Sequence, residues 1–135
     1  MTQHLKIKIE QSISIQRIGD LLCNALEGGS NYWYMITDKI EPKEWTFSDK
    51  SANGITFLYC YPFNTGGALL INDEKADEPI LKKPFRLDID AIQKGLEVMG
   101  QKYPKHFADF LSENDDANTG DIFLQCCIFG ECIYG

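Results

Sequence analysis

The side chains with the most chemistry to offer stand together near the start of the chain. Directly after two glycines, four consecutive residues carry a hydroxyl, an amide and two aromatic rings: Ser30, Asn31, Tyr32 and Trp33. At the mouth of a sheet, such a group would stack a flat ring and hydrogen-bond its edge. The alternative is a helix cap followed by a core strand, in which the aromatic side chains only pack.

A second pair of candidates lies near the end of the chain. Asp121 and Gln125 are four residues apart, so they share one face of a predicted helix whose other residues are almost all apolar. An unpaired buried polar group costs about 1–3 kcal/mol. We therefore expect both side chains either to bond internally, to Asn31 or the backbone of residues 28–30, or to face a pocket. Asp121 would otherwise be a first-turn acid that complements the helix dipole.

The remaining reactive side chains form no catalytic or metal-binding pattern. The five cysteines are odd in number, sit among apolar residues and lack a Cys-x-x-Cys pair, which favours reduced thiols in a cytoplasmic protein. Two acidic tracts, residues 73–78 and 113–116, lack EF-hand spacing and are interpreted as solvated loops. There is no phosphate-binding glycine loop and no nucleophile elbow. Neither a cofactor nor a metal site is predicted.

Composition and charge limit the classes of function that this protein can have. The 135-residue chain has ordinary apolar and charged content, which predicts one globular domain over residues 1–135. Its net charge of −7 argues against direct nucleic-acid binding, because neutralising phosphates takes Lys and Arg. Residues 1–10 do not show the apolar segment of a secretory signal, and no apolar run has the length of a membrane helix.

Helical periodicity predicts the helices that position the candidate residues. One predicted helix begins at Ser14, and the glycines at 28–29 supply the left-handed residue that helix ends commonly require. A second begins at Asp88, a natural N-cap, and a short apolar helix follows it. Residues 112–120 indicate a polar surface connection, and residues 121–129 an almost wholly apolar final helix.

The stretches between these helices indicate strands. Period-two alternation or aromatic content predicts them over residues 4–10, 31–40, 44–48, 55–63, 68–72 and 80–86. The stretch 55–63 is the strongest, and 31–40 carries bulk on both faces, which favours an interior position in the sheet. Short turns between consecutive strands indicate an antiparallel meander. We predict an α+β domain with an antiparallel sheet of about five strands and helices packed on one face.

Two separated motifs carry a resemblance to known proteins. The first is Gly-Gly-Ser-Asn-Tyr-Trp at residues 28–33; the second comprises Gly-Asp-Ile-Phe-Leu-Gln at residues 120–125 and Phe-Gly-Glu-Cys-Ile-Tyr-Gly at residues 129–135. In this order they resemble a family of small uncharacterised proteins carried by bacteriophages, prophages and related mobile elements. The resemblance implies an origin more than an activity. Small acidic phage proteins often occupy a host protein or sequester a small molecule.

The leading hypothesis is a non-enzymatic phage or mobile-element accessory protein of the counter-defence type. It would sequester a small ligand, in particular a nucleotide-type immune signal, in a pocket formed by six residues: Ser30, Asn31, Tyr32, Trp33, Asp121 and Gln125. A homo-oligomer is expected, because the aromatic sheet and the apolar C-terminal tail offer surface to bury. No membrane partner is predicted.

Two alternatives remain open at this point. An acidic protein–protein inhibitor would block a basic site on a host defence protein or a nucleic-acid-binding protein through residues 73–78 or 115–116. A small hydrolase or transferase would use Asp121 or Glu131 as a general base, although no nucleophile or metal cluster accompanies the carboxylate.

Overall fold

The computed structural model describes residues 2–135, and its helices and strands alternate in an α+β order. A helix at the start continues into a π-helical turn, three strands follow with a 3₁₀-helix between the first two, and three helices complete the chain. In order these are α1 Ile15–Asn24, the π-turn Ala25–Gly29, β1 Met35–Ile40, the 3₁₀-helix Leu58–Phe63, β2 Ala68–Asn72, β3 Phe85–Leu87, α2 Ile89–Lys102, α3 Pro104–Leu111 and α4 Ala117–Phe129.

The strands form one antiparallel sheet in the order β1-β2-β3. Ile36 lies opposite Ile71, and Leu69 lies opposite Leu87, with an irregularity in β1 between Ile36 and Asp38. The predicted α+β class and antiparallel pairing are confirmed. The expected five strands are not confirmed, since three are present within residues 2–135.

The predicted strand over residues 55–63 is wrong, because most of that stretch forms the 3₁₀-helix. The side chain of Asn64 explains the difference. Its Oδ1 accepts hydrogen bonds from the backbone N–H groups of Thr46 (2.7 Å) and Phe47 (2.8 Å), and its Nδ2 donates to the carbonyls of Phe47 (2.8 Å) and Cys60 (2.9 Å). These bonds to the segment around residue 47 replace the strand partners that a flat segment would need.

Four further strand predictions need correction. Residues 4–10 and 44–48 contain no strand, and the strand predicted over 80–86 is limited to β3. The stretch predicted over 31–40 becomes a strand only at Met35, because the N–H groups of Trp33 and Tyr34 both donate to the carbonyl of Ser30 and close a turn. β1 also lies at an edge of the sheet rather than inside it.

The predicted helix starts are confirmed where a polar cap marks them. The Ser14 hydroxyl accepts a hydrogen bond from the Arg17 N–H at 3.2 Å, and the Asp88 carboxylate accepts one from the Ala91 N–H at 3.0 Å. α4 begins four residues earlier than predicted, after a capping box built by Asp116 and Thr119. Asp121 therefore lies beyond the first turn, and the helix-dipole alternative for it is wrong.

α4 is the central element of the core. It packs against α1, the π-turn, α2 and α3, which explains why it is apolar nearly all round. The largest fully buried side chains around it include Trp33, Phe110, Phe123, Leu22 and Met99. Within residues 2–135, no helix combines the length and the apolar character needed to cross a membrane.

Candidate functional site

Two glycines bring the early candidate residues against the late ones. A Cβ atom at Gly29 would lie 1.9 Å from the carbonyl oxygen of Ala117, and one at Gly120 would lie 2.7 Å from the backbone nitrogen of Ala25. Only glycines allow the π-turn and α4 to approach this closely. The left-handed role predicted for residues 28–29 is wrong, because neither glycine has a positive φ. Close approach of the two backbones is what explains Gly29.

Four side chains converge on the carboxylate of Asp121. Oδ1 accepts hydrogen bonds from the Ser30 hydroxyl and the Trp33 indole N–H, both at 2.7 Å, and from the Gln125 amide at 3.2 Å. Oδ2 accepts one from the Tyr32 hydroxyl at 2.7 Å. We call these five residues the Asp121 cluster. A carboxylate has about four lone-pair sites, so these donors saturate it.

Gln125 extends the cluster to the C-terminal tail. Its Oε1 accepts hydrogen bonds from the N–H groups of Ile133 (2.8 Å) and Tyr134 (2.9 Å), and its Nε2 donates to the Tyr134 carbonyl at 3.1 Å. Gln125 is 1% exposed, so a buried amide holds the tail against α4. The sequence predicted that Asp121 and Gln125 share a face, but it gave no sign that the tail is their partner.

The tail connects the cluster to a second buried acid. The Tyr134 hydroxyl donates to Asp73, which also accepts hydrogen bonds from the N–H groups of Ile80 (2.8 Å) and Leu81 (3.2 Å). Burial acts to raise the pKa of the Asp73 carboxyl, but these hydrogen bonds outweigh it and hold that pKa below its usual value. Burial and the bond to Asp73 raise the pKa of Tyr134 to about 12.

The aromatic residues of the Asp121 cluster are not arranged to stack a ligand. Trp33 is 0% exposed, and its ring centroid lies 5.5 Å from those of both Phe129 and Tyr134. Tyr32 is about half exposed, but burial and the bond to Asp121 raise the pKa of its hydroxyl well above the usual value. The Asn31 side chain is exposed and has no hydrogen-bond partner among the contacts of the described residues.

Of the six predicted ligand residues, the structure therefore brings five together and leaves Asn31 outside. Asp121 and Gln125 bond internally, as one of the two expectations required, although their partners are side chains and the tail rather than Asn31. None of the six lines any of the three cavities described for residues 2–135. Ligand binding at this position stays a prediction, and so does general-base chemistry by Asp121.

The acidic tracts are partly structural. Asp115 accepts a hydrogen bond from Arg17 at 2.8 Å and another from the Asn24 amide, Asp116 caps α4, and Asp73 is buried. The interpretation of both tracts as solvated loops is thus wrong for Asp73 and Asp115, whereas Asp116 is exposed. Within the tract 73–78, the exposed acids are Glu74, Asp77 and Glu78.

Burial disfavours the thiolate form of the cysteines in α4. Burial raises the pKa of Cys126 to about 12 and that of Cys127 well above its ordinary value, so neither forms a thiolate near neutral pH. All five cysteines are free. Within the described part of the chain, no three His, Cys, Asp or Glu side chains lie close enough together to hold a metal ion.

The largest of the described cavities lies beside α1. A groove of about 840 Å³ runs between α1, α2, α3 and residues 9–13, and we call it the helical groove. Its apolar lining includes Ile13, Ile15, Ile18, Ile89, Ile92, Leu96 and Phe107. Its charged lining consists of Glu10 and Glu97, with no Lys or Arg. The sequence analysis did not identify this groove, since its walls come from two distant stretches of the chain, residues 9–18 and 89–107.

A smaller cavity of about 240 Å³ lies beside β1, and we call it the edge pocket. It is lined by apolar and aromatic side chains that include Leu26, Tyr34, Ile36, Ile55 and Phe57, together with the single carboxylate of Glu27.

Comparison with known proteins adds nothing to these observations: no family model, curated protein or solved structure matches the chain. The resemblance to phage and mobile-element proteins stays a prediction.

Proposed function

We propose that this chain is a non-enzymatic accessory protein that binds another protein, and that its target is a basic amphipathic segment. The helical groove is the observation that carries this proposal. It is the largest of the described cavities, its floor is apolar, and its only charges are acidic. A helix with aliphatic residues on one face and Lys or Arg on its flanks fits such a groove by shape and by charge.

The floor of the groove is open to a partner. Ile15 and Ile89 are each about two-fifths exposed, although both are large aliphatic residues in the first turn of a helix. Deeper in the groove, Ile92 and Ile18 are buried and give it a solid base. Covering such side chains with a partner's aliphatic residues would remove apolar surface from water, which is the main driving force of association.

The chemistry of the groove disfavours a nucleotide. Phosphate groups are bound by Lys, Arg or the N–H groups of glycine-rich loops, and the lining contains two glutamates instead. The Asp121 cluster is no better suited, because its donors already bond to the Asp121 carboxylate. A protein target is therefore better supported than a sequestered immune signal. The predicted phage origin and cytoplasmic location belong to this proposal and rest on the sequence alone.

The test is a titration of the full chain with a fluorescein-labelled amphipathic peptide of Leu and Lys, followed by fluorescence polarisation. We expect saturable binding that weakens as salt is added, because part of the attraction is electrostatic. The double variant Glu10→Gln, Glu97→Gln should bind the peptide more weakly at low salt. A labelled acidic peptide of the same apolar pattern is the matched probe and should not bind.

Ile89→Asp is the sharpest single change in the groove. It places a carboxylate where an aliphatic side chain is expected to be covered, and should weaken peptide binding by roughly tenfold or more. Ile80→Asp, at an exposed position outside both the groove and the edge pocket, is the matched control and should bind as the unchanged protein does. Equal binding by both variants, or heat from a nucleotide in calorimetry without any peptide binding, would overturn the proposal.

A further inference from the structure

The N-terminal arm, residues 2–13, contains an unpaired strand-like segment. It forms no helix or strand in the structure, yet Leu5, Ile7 and Ile9 alternate strictly with charged residues. These three side chains are 94%, 76% and 79% exposed, which makes them the most exposed large aliphatic residues of the described chain. A segment with this pattern needs the edge of a sheet and an apolar surface to become stable.

The same molecule has a free edge of matching character. β1 pairs with β2 on one side only, and no backbone hydrogen bond joins its other side within residues 2–135. Next to β1 lies the edge pocket, whose lining includes Ile36 of β1 together with Ile55 and Phe57, which are 66% and 39% exposed. An uncovered edge strand next to exposed apolar side chains is a template for another strand.

We propose that residues 4–9 of one copy add as a strand to the β1 edge of a second copy and place their aliphatic side chains over its edge pocket. Charge supports the pairing in part, because the arm segment carries Lys6 and Lys8, and the exposed charged residues of β1 and its C-terminal end are two acids, Asp38 and Glu41, and one base, Lys39. If both copies exchange arms, a closed two-fold dimer results and both segments are paired.

Geometry favours the second copy over the arm's own sheet. The arm leaves the body at the N-terminal end of α1 and runs along the groove towards α2, where Ile9 and Ile13 contribute to the lining. The edge pocket is lined by Cys23, Leu26 and Glu27, at the opposite end of that helical segment, about 15 Å away for ten residues of helix. In the described chain residues 9–13 lie against the helical groove, and the arm leaves the β1 edge of its own copy unpaired.

The first test is the mass of the full chain in solution, measured by light scattering after size exclusion over a dilution series. We expect a particle of twice the 15.3 kDa of one chain, which dissociates on dilution. Ile7→Asp should raise the dimer dissociation constant at least ~10-fold. Gln3→Asp, at an exposed position just outside the segment 4–9, is the control and should change it far less. A single-chain mass at millimolar concentration would overturn the proposal.

A second pair of variants tests the receiving edge. Ile55→Asp should yield a monomer with an unchanged circular dichroism spectrum, whereas Ile80→Asp, at a site of similar exposure outside the edge pocket, should stay dimeric. Ile89→Asp, in the helical groove, should also stay dimeric. The dimer can therefore be disproved without disproving peptide binding in the groove, and the reverse also holds. A dimer that survives Ile55→Asp and Ile7→Asp would contradict arm exchange.

Hydrogen exchange distinguishes arm exchange between two copies from an arm that pairs with the sheet of its own copy. In the dimer, the amides of residues 5–9 should exchange slowly and lose that protection on dilution, together with the mass. Protection that persists in a single-chain particle would mean that the arm pairs with its own sheet, and would overturn exchange between copies. Rapid exchange of these amides in a proven dimer would overturn it as well, since the arm would then be outside the interface.

Discussion

The Asp121 cluster and the helical groove differ in how far their interactions are completed. In the cluster, every polar group of Asp121 and Gln125 has a partner, and the Trp33 ring is covered. In the groove, aliphatic side chains remain exposed beside two carboxylates. A site that binds a partner must leave interactions unmade in the free protein. By this criterion the polar and aromatic residues of the Asp121 cluster stabilise the fold, whereas the aliphatic helical groove is suited to binding a partner.

Replacement of the central carboxylate should produce the largest effect. Asp121→Ala leaves the Ser30, Trp33 and Tyr32 donors without an acceptor, and we expect a loss of about 4 kcal/mol in the free energy of unfolding, measured with urea. Asp121→Asn keeps one acceptor and should lose roughly half as much. Asn31→Ala, an exposed neighbour, is the control and should change the free energy by less than about 0.5 kcal/mol. A stable Asp121→Ala variant would remove the contrast between the two regions.

The two adjacent glycines provide a matched comparison. Gly29→Ala forces a methyl group against the Ala117 carbonyl, 1.9 Å away, and should cost about 3 kcal/mol. Gly28→Ala meets no atom within 4 Å and has no positive φ, so it should be neutral or stabilise by up to about 1 kcal/mol. Thermal unfolding of both variants measures this. Equal melting temperatures would mean that the close helix approach does not hold the cluster together.

Removal of one hydroxyl tests the link between the tail and the second buried acid. Tyr134→Phe leaves Asp73 with one donor fewer and should cost about 2 kcal/mol at neutral pH. The comparison variant is Tyr32→Phe, which removes a hydroxyl that donates to Asp121 rather than to Asp73. If Tyr134→Phe unfolds at the same urea concentration as the unchanged protein, the tail is not a stabilising element.

The pH dependence of stability follows from the same groups. The lowered pKa of Asp73 means that its contribution is present above about pH 4 and is lost as the pH falls through the folded-state value. The raised pKa of Tyr134 acts at the other end: its contribution is complete below about pH 10, and decreases as the pH rises towards the folded-state value of about 12. Tyr134→Phe should flatten this alkaline slope in urea unfolding measured at a series of pH values.

The smallest expected effect on stability belongs to the groove. Ile89→Asp replaces a partly exposed side chain in the first turn of α2, where the helix dipole stabilises a negative charge. The free energy of unfolding should therefore change by less than about 0.5 kcal/mol. The same change is expected to weaken peptide binding strongly. Loss of stability and binding together would show that the groove is part of the core rather than a binding surface.

Local signals in the sequence predicted those elements that carry their own boundary residues. β2 was predicted with its observed ends, and the caps at Ser14 and Asp88 begin α1 and α2. These predictions hold because a cap or a buried apolar run depends on neighbours within a few residues. The prediction for residues 55–63 failed because a partner 17 residues away, reached through Asn64, decided the backbone there.

The sequence by itself determined the α+β class, the apolar character of α4 and the shared face of Asp121 and Gln125, since periodicity and composition are local properties. Tertiary structure alone decided what those side chains do. Three of the four donors to Asp121 are about 90 residues away along the chain, and the groove exists only where two distant stretches, residues 9–18 and 89–107, meet. A polar side chain looks the same in the sequence whether it faces a ligand or its own fold, because only the packed chain supplies or withholds its partners.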